Sequence, residues 1–121
     1  MASILCWNAD GLINNQYDLF HFLNNKINKP IIICIQETHF NDTNHLSFNI
    51  PHYNKILKNR DSNVWGGVAI FVSSDISYNI IPINTQYEIG GIQIFLNLHY
   101  KPINIYNAYF PPSCKIDLDI A

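Results

Sequence analysis

Glu37 is the residue whose type and position suggest chemistry most directly. It lies within Gln36-Glu37-Thr38, immediately after an entirely apolar run at residues 31–35. A carboxylate fixed at the end of a strand can hold Mg2+ through one or two bonds, while water and phosphate oxygens complete the octahedron. The alternative is that Glu37 is simply the first solvated residue after a buried strand. Position alone leaves both interpretations open.

Asn8 and Tyr109 stand at the ends of two other predicted strands. The Asn8 amide can orient a carboxylate or touch a phosphate, although it cannot act as an acid or a base. Together with Asp10, it could equally form an Asx-type turn or cap the next helix. The Tyr109 phenol could donate to a phosphate oxygen, or it could be a packing group with a hydrated hydroxyl. Both residues are therefore candidates for a phosphate site or for local structure.

His39 follows Glu37 by two residues and is a candidate general base or phosphate contact. A single histidine in a polar loop is more typically only solvated. The remaining histidines are scattered without ligand spacing: His21, His45, His52 and His99. We therefore predict no catalytic role for any histidine.

A parallel βαβ unit is predicted to position Asn8 and Glu37. Residues 3–7 form an apolar, β-favouring run that stops at the turn formers of residues 8–11. Apolar positions from Leu12 to Ile27 fall at helical spacings, and Pro30 ends that pattern. Residues 31–35 then lack polar alternation, which indicates a strand covered on both faces. We expect the ends of these two strands to open on the same edge of a sheet.

The rest of the chain predicts further, mostly antiparallel strands. Residues 40–51 indicate an irregular connection with one short helical turn. Short runs rich in Ile, Val, Phe and Tyr then predict strands at residues 53–58, 67–73, 76–83, 92–98 and 103–109. Nothing divides the chain, so we treat residues 1–121 as one structural unit. One helix cannot shield a sheet of six or seven strands, so we expect the second face to need cover.

Composition favours a folded domain and excludes several other classes. The chain has 121 residues, of which 48% are hydrophobic and 13% are charged. A net charge of -2 gives no overall field that would attract DNA or an anionic membrane. Phosphate binding would therefore need local groups or a metal ion. No apolar stretch approaches the roughly 18 residues that cross a bilayer, and no secretory signal is evident. We expect a soluble, intracellular protein without a membrane partner.

The three cysteines, Cys6, Cys34 and Cys114, do not predict a disulfide framework or a zinc site. Their number is odd, and their spacing matches neither a CxxC motif nor a Cys/His ligand set. We expect Cys6 and Cys34 to be small hydrophobic residues of the core.

Four segments together resemble the endonuclease/exonuclease/phosphatase family. They are residues 4–12 (ILCWNADGL), 33–39 (ICIQETH), 66–70 (GGVAI) and 104–112 (NIYNAYFPP). Their order and spacing match over nearly the whole chain. The closest likeness is to the apurinic-endonuclease-like domain of non-LTR retrotransposons, in which such a domain precedes a reverse transcriptase.

The resemblance implies an α/β fold, specifically a four-layer α/β sandwich like deoxyribonuclease I, of which this chain would be the N-terminal half. It also implies hydrolysis of DNA phosphodiester bonds with Mg2+, or with Mn2+ in its place. Glu37 would ligate the metal, Asn8 would help to order the metal and the catalytic carboxylates, and Tyr109 would contact the scissile phosphate. Nuclear localisation is implied only by the likeness to retrotransposon proteins.

The remaining family motifs are absent from this sequence. They are a GDFN-like strand end, a further Asp and a C-terminal Asp-His pair. We therefore expect residues 1–121 to form a partial domain with little or no nuclease activity by itself. The alternative is a non-catalytic half-domain that serves as a folding or interaction module and pairs its uncovered sheet with another copy. A phosphatase or sphingomyelinase relative is a further alternative within the family.

Overall fold

The computed structural model describes residues 2–40, 43–44, 47–58, 67–85, 87–97 and 99–110. Within these residues, one helix and seven strands form an α/β fold, which confirms the predicted class. The elements are β1 (Ile4–Asn8), α1 (Gln16–Asn24), β2 (Ile32–Gln36), β3 (Tyr53–Lys58), β4 (Val68–Ser73), β5 (Ser77–Ile80), β6 (Glu88–Phe95) and β7 (Ile103–Tyr109). The predicted bounds of β3 and β7 are correct. Strand β5 is shorter than predicted, and β6 begins at Glu88, four residues early.

Helix α1 is shorter than the predicted span of residues 12–27, and asparagine side chains bond to backbone carbonyls at both of its ends. The Asn15 Nδ2 atom donates to the carbonyls of Ala9, Asp10 and Gly11 at 2.9, 3.1 and 3.2 Å. These bonds fix a turn before the helix begins at Gln16. At the other end, the Asn25 side chain donates to the His21 carbonyl. Such competition by asparagine favours helix termini over helix interiors.

The first sheet has the strand order β1-β2-β4-β3. Strands β1 and β2 are parallel, with Ile4 opposite Ile32 and Asn8 opposite Gln36, which confirms the predicted βαβ unit. Strand β4 runs antiparallel to both β2 and β3. The sheet is therefore mixed, as predicted, and α1 crosses one of its faces.

A second sheet, in the order β5-β6-β7, is antiparallel throughout and covers the other face of the first. The strands between residues 53 and 109 thus divide between two sheets instead of extending one. The core between the sheets contains Ile32, Cys34, Ile70, Val72, Ile92 and Ile94. A second core, beneath α1, includes Leu19, Leu23, Ile33, Ile35, Phe40, Phe48 and Phe71. Burial on both faces explains why β2 and β4 are apolar without alternation.

The prediction for the cysteines is half correct. Cys34 is buried in the core, whereas Cys6 is exposed, because the second sheet does not extend over β1. Burial, reinforced by the neighbouring Cys6 thiol, raises the pKa of Cys34 to about 11. Both thiols are free, and Cys114 lies outside the described residues.

The described helix is too short to cross a membrane, and no other helix is found in the part of the chain that the structure describes.

Candidate metal centre at the carboxyl ends of the first two strands

The carboxyl ends of β1 and β2 meet at one edge of the first sheet because the two strands are parallel. The loops that leave them continue side by side through backbone hydrogen bonds. The Ala9 amide donates to Gln36 at 3.0 Å, Gly11 donates to Glu37 at 2.8 Å, and Leu12 donates to Thr38 at 3.0 Å. Two loops bonded in this way hold their side chains in a defined relation to each other.

The side chains of Asp10, Glu37 and His39 converge between these loops. One ligand atom from each lies within 4.8 Å of the other two. The His39 Nε2 atom is 3.9 Å from Asp10 Oδ1 and 3.9 Å from Glu37 Oε1. Two carboxylate oxygens and one imidazole nitrogen are a donor set that suits a divalent cation. These residues therefore fit a metal ion by chemistry and by spacing.

The three donors differ in their access to water. The side chain of Asp10 is 84% exposed, whereas those of Glu37 and His39 are 24% and 15% exposed. His39 is therefore not the solvated loop residue that its sequence context suggests. A bound cation would have Glu37 and His39 on its protein-facing side. Of the three donors, Asp10 alone would lie on its solvent-facing side.

The backbone at the three donors adopts an uncommon conformation. Asp10, Glu37 and His39 have φ angles of 47°, 52° and 57°, in the left-handed region that residues other than glycine seldom adopt, although Asp and His adopt it more often than Glu does. For Glu37 this conformation costs about 1 kcal/mol or more, and strain of this kind is concentrated at functional sites. The intervening Thr38 is fully enclosed, which keeps both neighbours in place.

Gly11 is required beside this cluster for two reasons. Its φ angle is 97°, which a side chain would strain. A Cβ atom at Gly11 would also lie 3.1 Å from His39 Nδ1. Glycine therefore lets the His39 ring pack directly against the first loop.

Asn8 forms the Asx-type turn that was one of its two interpretations. Its Oδ1 atom accepts a hydrogen bond from the Asp10 amide at 3.3 Å, so it shapes the loop that carries Asp10. Its predicted roles toward a metal and in catalysis stay predictions. Sequence reasoning treated Asp10 only as a turn former and missed it as a candidate metal donor. The available signal was its position in the turn that follows a strand parallel to that of Glu37.

Asn107 was also missed, and it joins β7 to the end of β2. Its Nδ2 atom donates to the carbonyls of Ile35 at 3.0 Å and Ala69 at 2.8 Å, and its Oδ1 atom accepts from Gln36 Nε2 at 2.6 Å. The residue is buried, so these three bonds satisfy a polar group that is removed from water. An asparagine inside a strand of β-favouring residues was the signal in the sequence.

Glu88 supports the second loop from the other sheet. Its buried carboxylate accepts a hydrogen bond from the Gly67 amide at 2.5 Å. The Gly67 carbonyl in turn accepts from the Thr38 amide at 3.2 Å. Glu88 thus acts, through Gly67, on the residue between two of the candidate metal donors.

Tyr109 is the last residue of β7, two positions after Asn107 and opposite Glu88. Because the Asn107 side chain reaches Gln36, the end of β7 lies at the same end of the sandwich as Glu37. The fold therefore brings Asn8, Glu37 and Tyr109 to one end of the sandwich, and the sequence predicted this for Asn8 and Glu37. Contact between Tyr109 and a phosphate stays a prediction.

No family model matches the sequence, and no curated protein matches it significantly. Solved structures do match the fold. The catalytic domain of Xenopus laevis APE2 aligns with a TM-score of 0.59 and 21% identity, covering 89% of this chain and 45% of its own. An AP endonuclease from Archaeoglobus fulgidus aligns with a TM-score of 0.54 and 22% identity, covering 92% of this chain and 42% of its own. The 3′ phosphatase NExo from Neisseria, bound to a product DNA hairpin, aligns with a TM-score of 0.53 and 16% identity, covering 90% of this chain and 41% of its own.

The chain spans less than half the length of each of these three proteins. At such low identities, the likeness establishes architecture and does not transfer a function. The mixed sheet, the flanking helix and the second sheet correspond to part of the deoxyribonuclease-I-like sandwich. The chain therefore shares part of the fold of these exonucleases and AP endonucleases, which is of the endonuclease/exonuclease/phosphatase type.

Proposed function

We propose that Asp10, Glu37 and His39 bind a divalent cation and that this centre is part of a site that hydrolyses DNA phosphodiester bonds. The convergence of three ligand atoms within 4.8 Å is the observation that carries the proposal. It occurs at the carboxyl ends of parallel strands, where open α/β sheets place their ligands. The shared fold with DNA-processing enzymes supports the substrate class.

A cation held here would neutralise charge that builds up on a phosphate during cleavage. Glu37 and His39 hold the inner side of that position, and Asp10 holds the side that faces solvent. Asn8 fixes the Asp10 loop. Tyr109 is proposed to donate to a phosphate oxygen from the end of β7.

Mg2+ is the ion that the family resemblance implies, and Mn2+ is the alternative. The imidazole of His39 favours Mn2+ over Mg2+, because Mg2+ prefers oxygen ligands and gives up its waters reluctantly. We expect Mn2+ to bind more tightly than Mg2+ in direct titrations.

The catalytic site is proposed to need further groups. The sequence contains neither the GDFN-like strand end nor the C-terminal Asp-His pair of the family it resembles. The general base and the second set of carboxylates would then come from outside this sequence. We propose accordingly that the chain by itself cleaves DNA little or not at all, and that it corresponds to the first half of a catalytic domain.

The amino-acid sequences of residues 36–39 (QETH) and 66–70 (GGVAI) support a parent protein of the retrotransposon type, with an endonuclease beside a reverse transcriptase. Action in the nucleus would follow from that origin.

Calorimetric titration of the purified chain with Mn2+ tests the metal centre. We expect Glu37→Gln and Asp10→Asn each to weaken Mn2+ binding by about tenfold or more, since each removes one charged ligand. Asp18→Asn, which makes the same chemical change on the exposed side of α1, is the matched control and should leave binding unchanged. Equal Mn2+ affinity in Glu37→Gln and in the unaltered chain would overturn the metal assignment.

Nicking of supercoiled plasmid tests the catalytic part separately. We expect no nicking by the chain with either Mg2+ or Mn2+, and nicking by a version extended with the downstream reading frame, if Glu37 is intact. Nicking by the 121-residue chain that Glu37→Gln abolishes would support the metal centre and refute the half-site proposal.

A second candidate function is a non-catalytic interaction module that associates with another copy. Large apolar side chains that are exposed on the strands favour it: Ile4, Ile80, Ile103 and Tyr106. The oligomeric state of the chain in solution is the test of this candidate.

A further inference from the structure

The loop that carries Asp10 is curled tightly between β1 and α1. Asp10 and Gly11 have φ angles of 47° and 97°. On one side of the loop, the backbone amides of Ala9, Gly11 and Leu12 donate to the loop that follows β2. On the other side, the carbonyl oxygens of Ala9, Asp10 and Gly11 converge on one point. The side-chain amide of Asn15 occupies that point, with its Nδ2 atom 2.9, 3.1 and 3.2 Å from the three oxygens.

Asn15 does not use its side chain as asparagine usually does at the start of a helix. It stands at the N-cap position of α1, where an asparagine oxygen commonly accepts a hydrogen bond from an amide of the first turn. Its side chain makes no such bond to the described helix. The Nδ2 atom is directed toward the loop, and its two hydrogens are shared among three carbonyls. The Asn15 side chain therefore stabilises the loop before the helix.

The three carbonyls need this donor to stay together. The hydrogen bonds to Ala9 and Gly11 are partly buried, so water replaces them poorly. Three carbonyl oxygens that point at one place also repel one another, because the negative ends of their dipoles are brought together. Without the Asn15 amide, the loop would therefore relieve this repulsion by opening.

Asp10 depends on its loop more than the other two candidate donors depend on theirs. The side chains of Glu37 and His39 are 24% and 15% exposed, so the surrounding protein holds them, whereas that of Asp10 is 84% exposed. The backbone conformation therefore decides where the Asp10 carboxylate can reach. Opening of the loop would move Asp10 Oδ1 away from His39 Nε2, which is now 3.9 Å from it.

We propose that Asn15 is a positioning residue for the cation, because it holds the curled loop from which Asp10 reaches an ion bound by Glu37 and His39. This inference rests on the metal centre proposed above. Asn15 acts through Asp10, so its contribution to metal affinity vanishes when residue 10 cannot supply a carboxylate. A residue that only stabilised the fold would affect metal binding to the same extent whether or not Asp10 is intact.

Calorimetric titration with Mn2+ tests this coupling on four chains: the unaltered chain, Asn15→Ala, Asp10→Asn and the double variant. We expect Asn15→Ala alone to weaken Mn2+ binding by about threefold to tenfold, the range expected when one side chain must be ordered on binding. In the Asp10→Asn chain, the same change should weaken binding by less than about twofold. Asn25→Ala is the matched control, since it removes an amide that donates to the His21 carbonyl at the other end of α1. It should leave Mn2+ affinity unchanged.

The hydration of bound Mn2+ gives a second measurement of the same effect, through the relaxation of water protons. If Asp10 does not reach the ion, water takes its coordination position, so Asn15→Ala and Asp10→Asn should each add about one water. Asn25→Ala should add none.

Asn15→Ser separates the loop from the helix. Serine is as good an N-cap residue as asparagine, but its hydroxyl can donate to only one carbonyl. We expect Asn15→Ser to be folded by far-UV circular dichroism and to bind Mn2+ more weakly than the unaltered chain. Full Mn2+ affinity in Asn15→Ser would overturn the proposal, because a role in starting α1 would then be sufficient.

Equal losses from Asn15→Ala in the presence and absence of the Asp10 carboxylate would also overturn it. Unchanged Mn2+ affinity in Asn15→Ala, in a chain whose binding Glu37→Gln weakens, would refute this inference and leave the metal centre standing. A chain that binds no Mn2+ would refute the metal centre itself, and this inference with it.

Discussion

The two sheets of this protein are covered very differently. In the first sheet, β2 and β4 are buried on both faces, between α1 on one side and the second sheet on the other. In the second sheet, every second residue of β5 and β7 is exposed, and Ile80 and Ile103 are exposed as well. The candidate metal donors follow β1 and β2 of the first sheet, while the second sheet contributes Asn107 and Glu88, which bond to the end of β2 and to Gly67. We therefore expect stability to depend mainly on the first sheet, and the geometry of the site to depend on contacts between the sheets.

The largest effect is expected for Phe71→Ala. Phe71 is fully buried in β4, and its ring packs edge-on against Phe48 with centroids 6.0 Å apart. Removing a buried phenylalanine side chain typically costs about 3–5 kcal/mol of unfolding free energy. Tyr106→Ala, on the 56% exposed Tyr106 of β7, should cost less than about 1 kcal/mol in the same urea titrations. Similar losses in the two variants would break the comparison between the sheets.

Asn107→Leu should have the next largest effect, because it removes the three hydrogen bonds that the Asn107 side chain makes to the first sheet. The backbone carbonyls of Ile35 and Ala69 and the side-chain amide of Gln36 each lose a hydrogen-bond partner. We expect a loss of about 2–3 kcal/mol, which is more than one net hydrogen bond. Urea unfolding gives the stability, and Mn2+ titration shows whether displacement of the β2 end also weakens the metal centre. Unchanged values for both would show that Asn107 does not join the sheets.

Glu88→Ala should cost about 1–3 kcal/mol, since it leaves the buried Gly67 amide without an acceptor. Glu88→Gln keeps an acceptor and is the matched control. We expect Mn2+ affinity to fall in Glu88→Ala and to be largely retained in Glu88→Gln. The reason is that the Gly67 carbonyl accepts from the amide of Thr38, which lies between the candidate metal ligands Glu37 and His39. Equal Mn2+ affinities in the two variants would remove Glu88 from the support of the site.

The smallest expected effect concerns the pH dependence of stability. Burial raises the pKa of the Cys34 thiol from 9.0 to about 11 in the folded protein. The unfolded chain therefore loses this proton first, and stability falls as pH rises from about 9 to 11. Cys34→Val should remove that part of the decline, whereas Cys6→Val removes only the smaller contribution of the neighbouring thiol and should leave most of the decline in place. Identical pH profiles for the two variants would contradict the difference in burial.

Periodicity predicted much of the fold because it depends on neighbours along the chain. The parallel βαβ unit and the bounds of β3 and β7 are confirmed. The end of α1 and the division into two sheets were not predicted from periodicity. The first depends on the Asn15 and Asn25 side chains, which capture backbone carbonyls. The second depends on how the apolar faces pack, and an alternating pattern does not identify the partner of each strand.

The sequence by itself determined where Glu37 would stand, since a carboxylate directly after a continuous apolar strand emerges at the edge of a buried sheet. Only the tertiary structure decided which side chains lie next to Glu37. Asp10 and His39 become partners of Glu37 through the loop hydrogen bonds and the left-handed backbone at all three residues. Asn107 and Glu88 support the site from the other sheet. Asn107 bonds to Gln36, 71 residues away in the sequence, and Glu88 bonds to Gly67, 21 residues away. The physical reason is that strand periodicity is local, whereas the convergence of donors depends on the register and packing of segments that are distant in the chain.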